Sequence, residues 1–324
     1  MFSKKRPVVL IVVLLSLVTL AGCATTQKQS PLEMGIQSFE AQDYETAKTT
    51  FETVLATEAS NHQAIYYLGR IALQSDSLDT SIEHLEKAVS LDPVNSPYHF
   101  MLGVAYAQKV QKGAYELAPK ILSEFEKAVE LDGNNMDARM GLAQFYMNAP
   151  PFAGGSETKA KEQIEAIQKI DPVRGHLFMA QVHAAKKQYD EADASFEAAA
   201  GLDPKNPDIY YQRGMMHQSA KNYMAAFEAF EKAIAVDAKY LNGLYQIGRT
   251  AIFAETNLDR GAECLILYLK NKPASDQPSP AHAHWRLGSI YELMGKPDLA
   301  KKEYEAALKL NPDLKEAGEA LEKL

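Results

Sequence analysis

Residues 207–240 read PDIYYQRGMMHQSAKNYMAAFEAFEKAIAVDAKY, and residues 281–314 read AHAHWRLGSIYELMGKPDLAKKEYEAALKLNPDL. Both stretches carry glycine at the eighth position, alanine at the twentieth and an aromatic ring at the twenty-fourth. Self-similarity at a spacing of about 34 residues indicates a repeat of two helices, and a single pair of this kind cannot bury its apolar side alone. The sequence therefore predicts an all-α fold in which helix pairs stack on one another.

The same positions recur in phase along most of the chain. Glycine is at the eighth position in Gly35, Gly69, Gly103, Gly214, Gly248 and Gly288, alanine at or near the twentieth in Ala47, Ala192, Ala226, Ala262 and Ala300, and a ring at the twenty-fourth in Phe51, Phe196, Phe230 and Tyr304. This pattern resembles the tetratricopeptide repeat (TPR) family. The resemblance implies a TPR-type α-solenoid, a right-handed superhelix of helix-turn-helix repeats. In such a fold the small residues let the two helices of a pair approach closely, and the ring fills the gap between neighbours.

Eight TPR-like repeats are expected over residues 28–314. Their predicted bounds are 28–61, 62–95, 96–135, 136–172, 173–206, 207–240, 241–278 and 281–314. Four prolines are expected to close repeats, because proline disfavours helical geometry in the residue before it. These prolines are Pro93, Pro172, Pro204 and Pro312. Residues 313–324 have apolar side chains at helical spacing on one face and charges on the other, which predicts a C-terminal capping helix.

Two units depart from the pattern between their helices. The third has extra sequence around residues 109–119, and the fourth contains residues 148–156, NAPPFAGGS, whose prolines and glycines prevent a continuous helix. Ser156 is expected to cap the helix that follows. Insertions of this kind map to loops along one side of a solenoid, where they are either longer turns or part of a binding edge.

The N-terminus has the features of an export signal. Basic Lys4–Arg6 precedes the uncharged, mostly apolar run Pro7–Leu20, which is too short for a spanning helix of about 20 apolar residues. The sequence Leu-Ala-Gly-Cys ending at Cys23 resembles the lipobox of bacterial lipoproteins. That resemblance implies a signal peptide over residues 1–22, cleavage before Cys23 and lipidation of its thiol and new amino terminus. Ala24, where an aspartate would favour inner-membrane retention, favours the outer membrane.

Residues 23–30 are then the lipidated cysteine and a short polar tether. The expected location is lipid-anchored at the outer membrane and facing the periplasm, or on the outer face of the plasma membrane in a single-membrane bacterium. Loss of Lys4, Lys5 and Arg6 would leave 31 basic against 42 acidic residues, a net charge of −11. This balance opposes binding to nucleic acid, which depends on neutralised phosphates. Cys264, the other cysteine, is expected to be a small buried thiol.

In the TPR family the fifth and ninth positions of each repeat commonly face the concave groove. The fifth position holds Leu32, Tyr66, Phe100, Met140, Leu177, Tyr211, Tyr245 and Trp285, and the ninth holds Arg70, Gln144, Gln181, Met215 and Arg249. An aromatic track with arginine and glutamine suits an extended peptide or an amphipathic helix. The alternative is that these rings only pack between helices. Members that clamp a chaperone's C-terminal carboxylate have lysine at the fifth position and asparagine at the ninth, so a clamp of that kind is not expected here.

No catalytic motif, metal-ligand spacing or phosphate loop is found, and no cofactor is expected. We therefore expect a non-enzymatic envelope scaffold that binds protein partners in its groove. A glycan-binding accessory lipoprotein is the alternative, because rings also stack on sugars in peptidoglycan or exported polysaccharide. A hydrolytic enzyme is a third possibility and would need an acid, base or nucleophile cluster that the sequence does not reveal.

Overall fold

The structure is a computed structural model that describes residues 29–271, 273 and 277–324. The expected signal peptide over 1–22, the lipidation site Cys23 and the tether up to residue 28 lie outside the described residues. Seventeen α-helices are present in the described part: Pro31–Glu40 (α1), Tyr44–Thr57 (α2), His62–Gln74 (α3), Leu78–Leu91 (α4), Ser96–Gln111 (α5), Ala118–Leu131 (α6), Met136–Asn148 (α7), Glu157–Ile170 (α8), Pro172–Ala185 (α9), Tyr189–Leu202 (α10), Pro207–Ser219 (α11), Tyr223–Val236 (α12), Leu241–Ala254 (α13), Leu258–Lys270 (α14), Pro280–Leu293 (α15), Pro297–Leu310 (α16) and Lys315–Lys323 (α17). Short 3₁₀ turns occur at Tyr115–Leu117 and Pro151–Ala153, and these described segments contain no strand.

The helices stack in chain order. Each odd-numbered helix packs on the even-numbered helix that follows it, and the main remaining contacts join helices that are adjacent or next but one. Contacts limited to near neighbours are the property that defines a solenoid. The predicted all-α TPR-type solenoid is therefore confirmed. Within the described residues, none of these helices has the length and apolar character needed to cross a bilayer.

The repeated glycines make the close contact inside each helix pair. A Cβ atom on Gly214 of α11 would lie 2.5 Å from the ring of Phe230 on α12, and one on Gly288 of α15 would lie 2.5 Å from Tyr304 on α16. The Phe230 and Tyr304 side chains are fully buried. Interiors packed at this density have no room for an added methyl group, so the eighth and twenty-fourth positions fix the spacing of the pair.

The junction between α8 and α9 differs from the prediction. Pro172 was expected to close the fourth repeat, but it is the first residue of α9, so that expectation is wrong. The Asp171 side chain caps α9 by accepting a hydrogen bond from the Arg174 backbone N–H at 2.9 Å. Proline is favoured at this first helical position because its missing N–H would have no partner there and its φ is already helical.

The insertion at residues 149–156 is a folded loop. The Ser156 backbone N–H donates to the Tyr146 carbonyl at 2.8 Å, and Gly154 has a φ of +100°. A Cβ on Gly155 would collide with the backbone of Ala149. The Ser156 hydroxyl accepts from the Lys159 backbone N–H at 3.3 Å, which confirms the predicted cap. The loop leaves the Phe152 side chain 94% exposed.

Candidate binding groove

The odd-numbered helices α3 to α15 form one side of the solenoid, which we call the first-helix face. Side-chain hydrogen bonds join neighbouring helices along it. Gln181 Nε2 of α9 donates to Gln212 Oε1 of α11 at 3.2 Å. Arg286 Nε of α15 donates to the Tyr245 hydroxyl of α13 at 2.7 Å. Each of these bonds joins the first helices of two neighbouring repeats.

The fifth-position residues divide into two groups on this face. Tyr66 and Tyr245 are buried, with 8% and 6% of their surface exposed. The Tyr66 ring stacks on Tyr98 with centroids 4.5 Å apart, and Tyr245 contacts the Tyr268 ring at 5.4 Å. The half-buried members are Phe100, Met140, Leu177, Tyr211 and Trp285. Tyr66 and Tyr245 thus pack between helices, whereas the half-buried side chains retain surface for a ligand.

The ninth-position residues are more accessible. Gln144 and Gln181 are exposed, and they line a cleft of about 140 Å³ between α7 and α9 together with Met147 and Phe178. Arg70, Met215 and Arg249 are half-buried. Every predicted groove residue is therefore on the odd-numbered helices, but only some of them can contact a partner directly.

Three arginines of this face lie over aromatic rings. The Arg70 guanidinium carbon is 4.4 Å from the Phe39 ring centroid. The corresponding distances are 5.1 Å from Arg249 to Phe253 and 4.7 Å from Arg286 to Trp285. None of the three arginines forms an ion pair with any residue that the structure describes. The sequence did not identify Arg286 as a groove residue, because it occupies the sixth position of its repeat. Its place on this face depends on a contact between repeats, the hydrogen bond from α15 to Tyr245 of α13.

Two polar atoms on α13 lack partners. Arg249 Nε and Gln246 Oε1 are buried and make no hydrogen bond to a described residue. Gln246 is 7% exposed, and the neighbouring Gln218 Nε2 donates to the Thr250 hydroxyl at 2.9 Å instead. Buried polar groups without partners are rare in folded proteins and each requires an explanation.

The even-numbered helices form the second-helix face, and the arginines that reach carboxylates of these helices show the opposite pattern. Arg213 of α11 makes a bidentate contact with Asp193 of α10, at 2.6 and 2.7 Å, and a further one with Glu197 at 3.0 Å. His217 Nε2 lies 2.7 Å from Asp193 Oδ1. Burial alone would raise the pKa of Asp193, but the hydrogen bonds and charges of Arg213 and His217 hold it below its ordinary value.

A second arginine, Arg260 of α14, is fixed in the same way by hydrogen bonds to the carboxylates of Glu231 and Glu263.

The other chemically versatile side chains have structural surroundings. Cys264 is fully buried, which confirms the prediction, and burial raises the pKa of its thiol to about 12. A thiol that stays protonated at neutral pH is a poor nucleophile and a poor metal ligand. His99 is buried between the Glu124 carboxylate at 2.6 Å and the Pro93 carbonyl at 3.0 Å. No group of three or more potential metal ligands occurs among the residues that the structure describes.

Stacked hairpins with an aromatic and polar first-helix face define an α-solenoid of the protein-binding class. The chain contains tetratricopeptide repeats. Family models for this repeat match residues 32–96, 179–240 and 281–314. Proteins with these repeats are generally non-catalytic scaffolds that bind protein or peptide partners. The fold supports a role of that kind for this chain.

Solved structures share the architecture at low sequence identity. A tetratricopeptide repeat protein from Parabacteroides merdae ATCC 43184 is similar with a TM-score of 0.50 and 15% identity, over 83% of this chain and 97% of that one. Pseudomonas aeruginosa pilF gives a TM-score of 0.45 and 17% identity over 71% and 97%. YrrB, described as a TPR protein with an unusual peptide-binding site, gives 0.39 and 17% over 74% and 98%. No curated protein matches the sequence.

Proposed function

We propose that this protein is a non-enzymatic scaffold that binds protein partners along the first-helix face while lipid on Cys23 anchors it in the cell envelope. One observation carries the binding part of the proposal. The half-buried rings of Tyr211 and Trp285 and the stacked arginines lie on a single face, where no described carboxylate pairs with those arginines. Aromatic side chains and arginine are the residues that contribute most to protein interfaces.

The anchor and location are supported by the sequence around Cys23. A cysteine with three acyl chains, each contributing about 0.8 kcal/mol per buried CH₂, holds a protein on a membrane essentially permanently. Ala24 favours the outer membrane with the repeats facing the periplasm, or the outer face of the plasma membrane where only one membrane exists. In that position the scaffold would hold its partners at the membrane surface.

The binding proposal is tested by crosslinking in intact envelopes. Tyr66 and Tyr245 are left unchanged, because truncating a buried aromatic to alanine costs about 3–5 kcal/mol and would confuse folding with binding. Tyr211→Ala combined with Trp285→Ala is expected to remove the crosslinked partners while helicity by circular dichroism is unchanged. Survival of the same partners in this variant would contradict the proposal.

A matched control uses two aromatic residues outside the first-helix face. Tyr115 and Phe152, on the inserted loops, are 74% and 94% exposed. Tyr115→Ala combined with Phe152→Ala is expected to retain the partners. Retention of the purified protein on cell-wall sacculi, with no protein partner, would favour a glycan ligand instead.

The anchor is tested independently with Cys23→Ala. This variant is expected to leave the membrane fraction and to lose incorporation of labelled palmitate. Mass spectrometry of the wild-type protein should show that residues 1–22 are absent and that Cys23 is the modified N-terminus. A mature protein that keeps those residues would contradict the lipoprotein assignment without affecting the binding proposal.

A further inference from the structure

The charges on the first-helix face are unusual for an acidic chain. The chain has 42 acidic and 34 basic residues, so a half-buried arginine has many potential partners. Arg174, Arg213 and Arg260 each form ion pairs. Arg249 and Arg286, on the adjacent odd-numbered helices α13 and α15, form none with a described residue. Two cations of one face are thus left without neutralising charge.

The two arginines lie at different heights along α13, because Arg286 reaches Tyr245 whereas the Arg249 guanidinium lies over Phe253. Arg249 is four residues after Tyr245, which places it one turn further along the same side of α13. Arg286 donates to the Tyr245 hydroxyl at 2.7 Å, and its guanidinium carbon lies 5.6 Å from the ring centroid. Each arginine is thus a cation without a neighbouring counter-charge, and a bound anion would be attracted to either position.

The unpartnered atoms indicate what kind of anion fits. Arg249 makes no hydrogen bond to a described residue, and its Nε is buried. A planar guanidinium is matched by a carboxylate, which can accept two parallel N–H bonds. A peptide with an acidic side chain supplies such a carboxylate.

We infer that the first-helix face of α13 and α15 binds an acidic peptide segment, with one carboxylate on Arg249, another on Arg286 and an apolar neighbour on Trp285. This inference rests on the proposed function and names the chemistry of its partner. The residues differ from those of the two-carboxylate clamp, because arginine occupies the ninth and sixth positions here. A carboxylate within a chain suffices for this arrangement, and a free C-terminus is not required.

The test uses the full-length protein in non-ionic detergent and three fluorescein-labelled, C-terminally amidated peptides. The peptides consist of four Leu-Glu, four Leu-Gln or four Leu-Lys units, and binding is followed by fluorescence anisotropy. The glutamate peptide is expected to bind at least about tenfold more tightly than the glutamine peptide, since hydrogen bonds to charged groups are the stronger ones. Its affinity should fall as NaCl rises, while the glutamine peptide changes little.

Three variants locate the effect. Arg249→Gln with Arg286→Gln should reduce binding of the glutamate peptide by about tenfold, to the level of the glutamine peptide. Arg249→Lys with Arg286→Lys should give an intermediate loss, because the charge remains without the planar fork. Arg139→Gln removes one charge from α7, where the side chain bonds to the Gly133 carbonyl and to Gln163, and should change nothing.

Equal binding of the glutamate and glutamine peptides, no binding of either, or unchanged binding after Arg249→Gln with Arg286→Gln would overturn the inference. These outcomes are separable from failure of the proposed function. If they occur while Tyr211→Ala with Trp285→Ala still removes crosslinked partners, the face binds a partner of another chemistry. If Arg249→Gln with Arg286→Gln loses helicity, the lysine variant still tests the inference, because it keeps the charges and the long side chains.

Discussion

Arginines on the two faces of this solenoid have different surroundings. At the second-helix face, Arg213 of α11 and Arg260 of α14 are each held by two carboxylates of even-numbered helices. On the first-helix face, Arg249 and Arg286 lie over aromatic rings and pair with no described carboxylate. The paired cations join one repeat to the next and therefore contribute to stability. Arg249 makes no hydrogen bond to a described residue and Arg286 makes one, to Tyr245, so most of their hydrogen-bonding capacity is left for a ligand.

The largest expected difference is in stability. Arg213→Met should lower the free energy of unfolding by about 2 kcal/mol, because it leaves Asp193 partly buried with only His217 beside it. Arg249→Met, a substitution of similar shape on the other face, should change the free energy by less than about 0.5 kcal/mol. Urea denaturation followed by circular dichroism measures both. Equal losses in the two variants would remove the distinction between the faces.

A smaller effect is expected in the pH dependence of the same pair. The pKa of Asp193 is lowered in the folded state, so its ionised form stabilises the protein above the unfolded value of about 4, and this stabilisation is lost as the pH falls through the folded value. Arg213→Met loses the part of this contribution that Arg213 supplies and keeps only that of His217. The stability gap between wild type and variant should therefore narrow as the pH falls below about 4, as measured by urea midpoints. A gap that widens on acidification would contradict the assigned ion pair.

The sequence predicts the fold well, because the repeat is defined by contacts inside each helix pair. Glycine at the eighth position and a ring at the twenty-fourth lie in the same pair, and Gly288 against Tyr304 is the contact that the pattern implies. Pro172 shows where local rules are ambiguous, since proline fits both the end of one repeat and the first turn of the next helix.

The groove is less predictable, because it depends on distances between different repeats. Tyr211 and Tyr245 occupy the same position of successive units, yet Tyr211 is half-buried and Tyr245 is 6% exposed. The difference arises where α13 packs directly on α15, and nothing in a single repeat encodes that packing. Arg286 was missed for the same reason, since it reaches Tyr245 of the preceding unit.

The central claim is that partners bind the first-helix face and not the second. It is tested most directly with a photoreactive benzoylphenylalanine in place of one methionine on each face. Met215 on α11 is half-buried on the first-helix face, and Met224 on α12 is 59% exposed on the other. Irradiation of intact envelopes should give protein adducts at position 215 and none at position 224. Adducts at position 224 alone, or equally at both, would contradict the account.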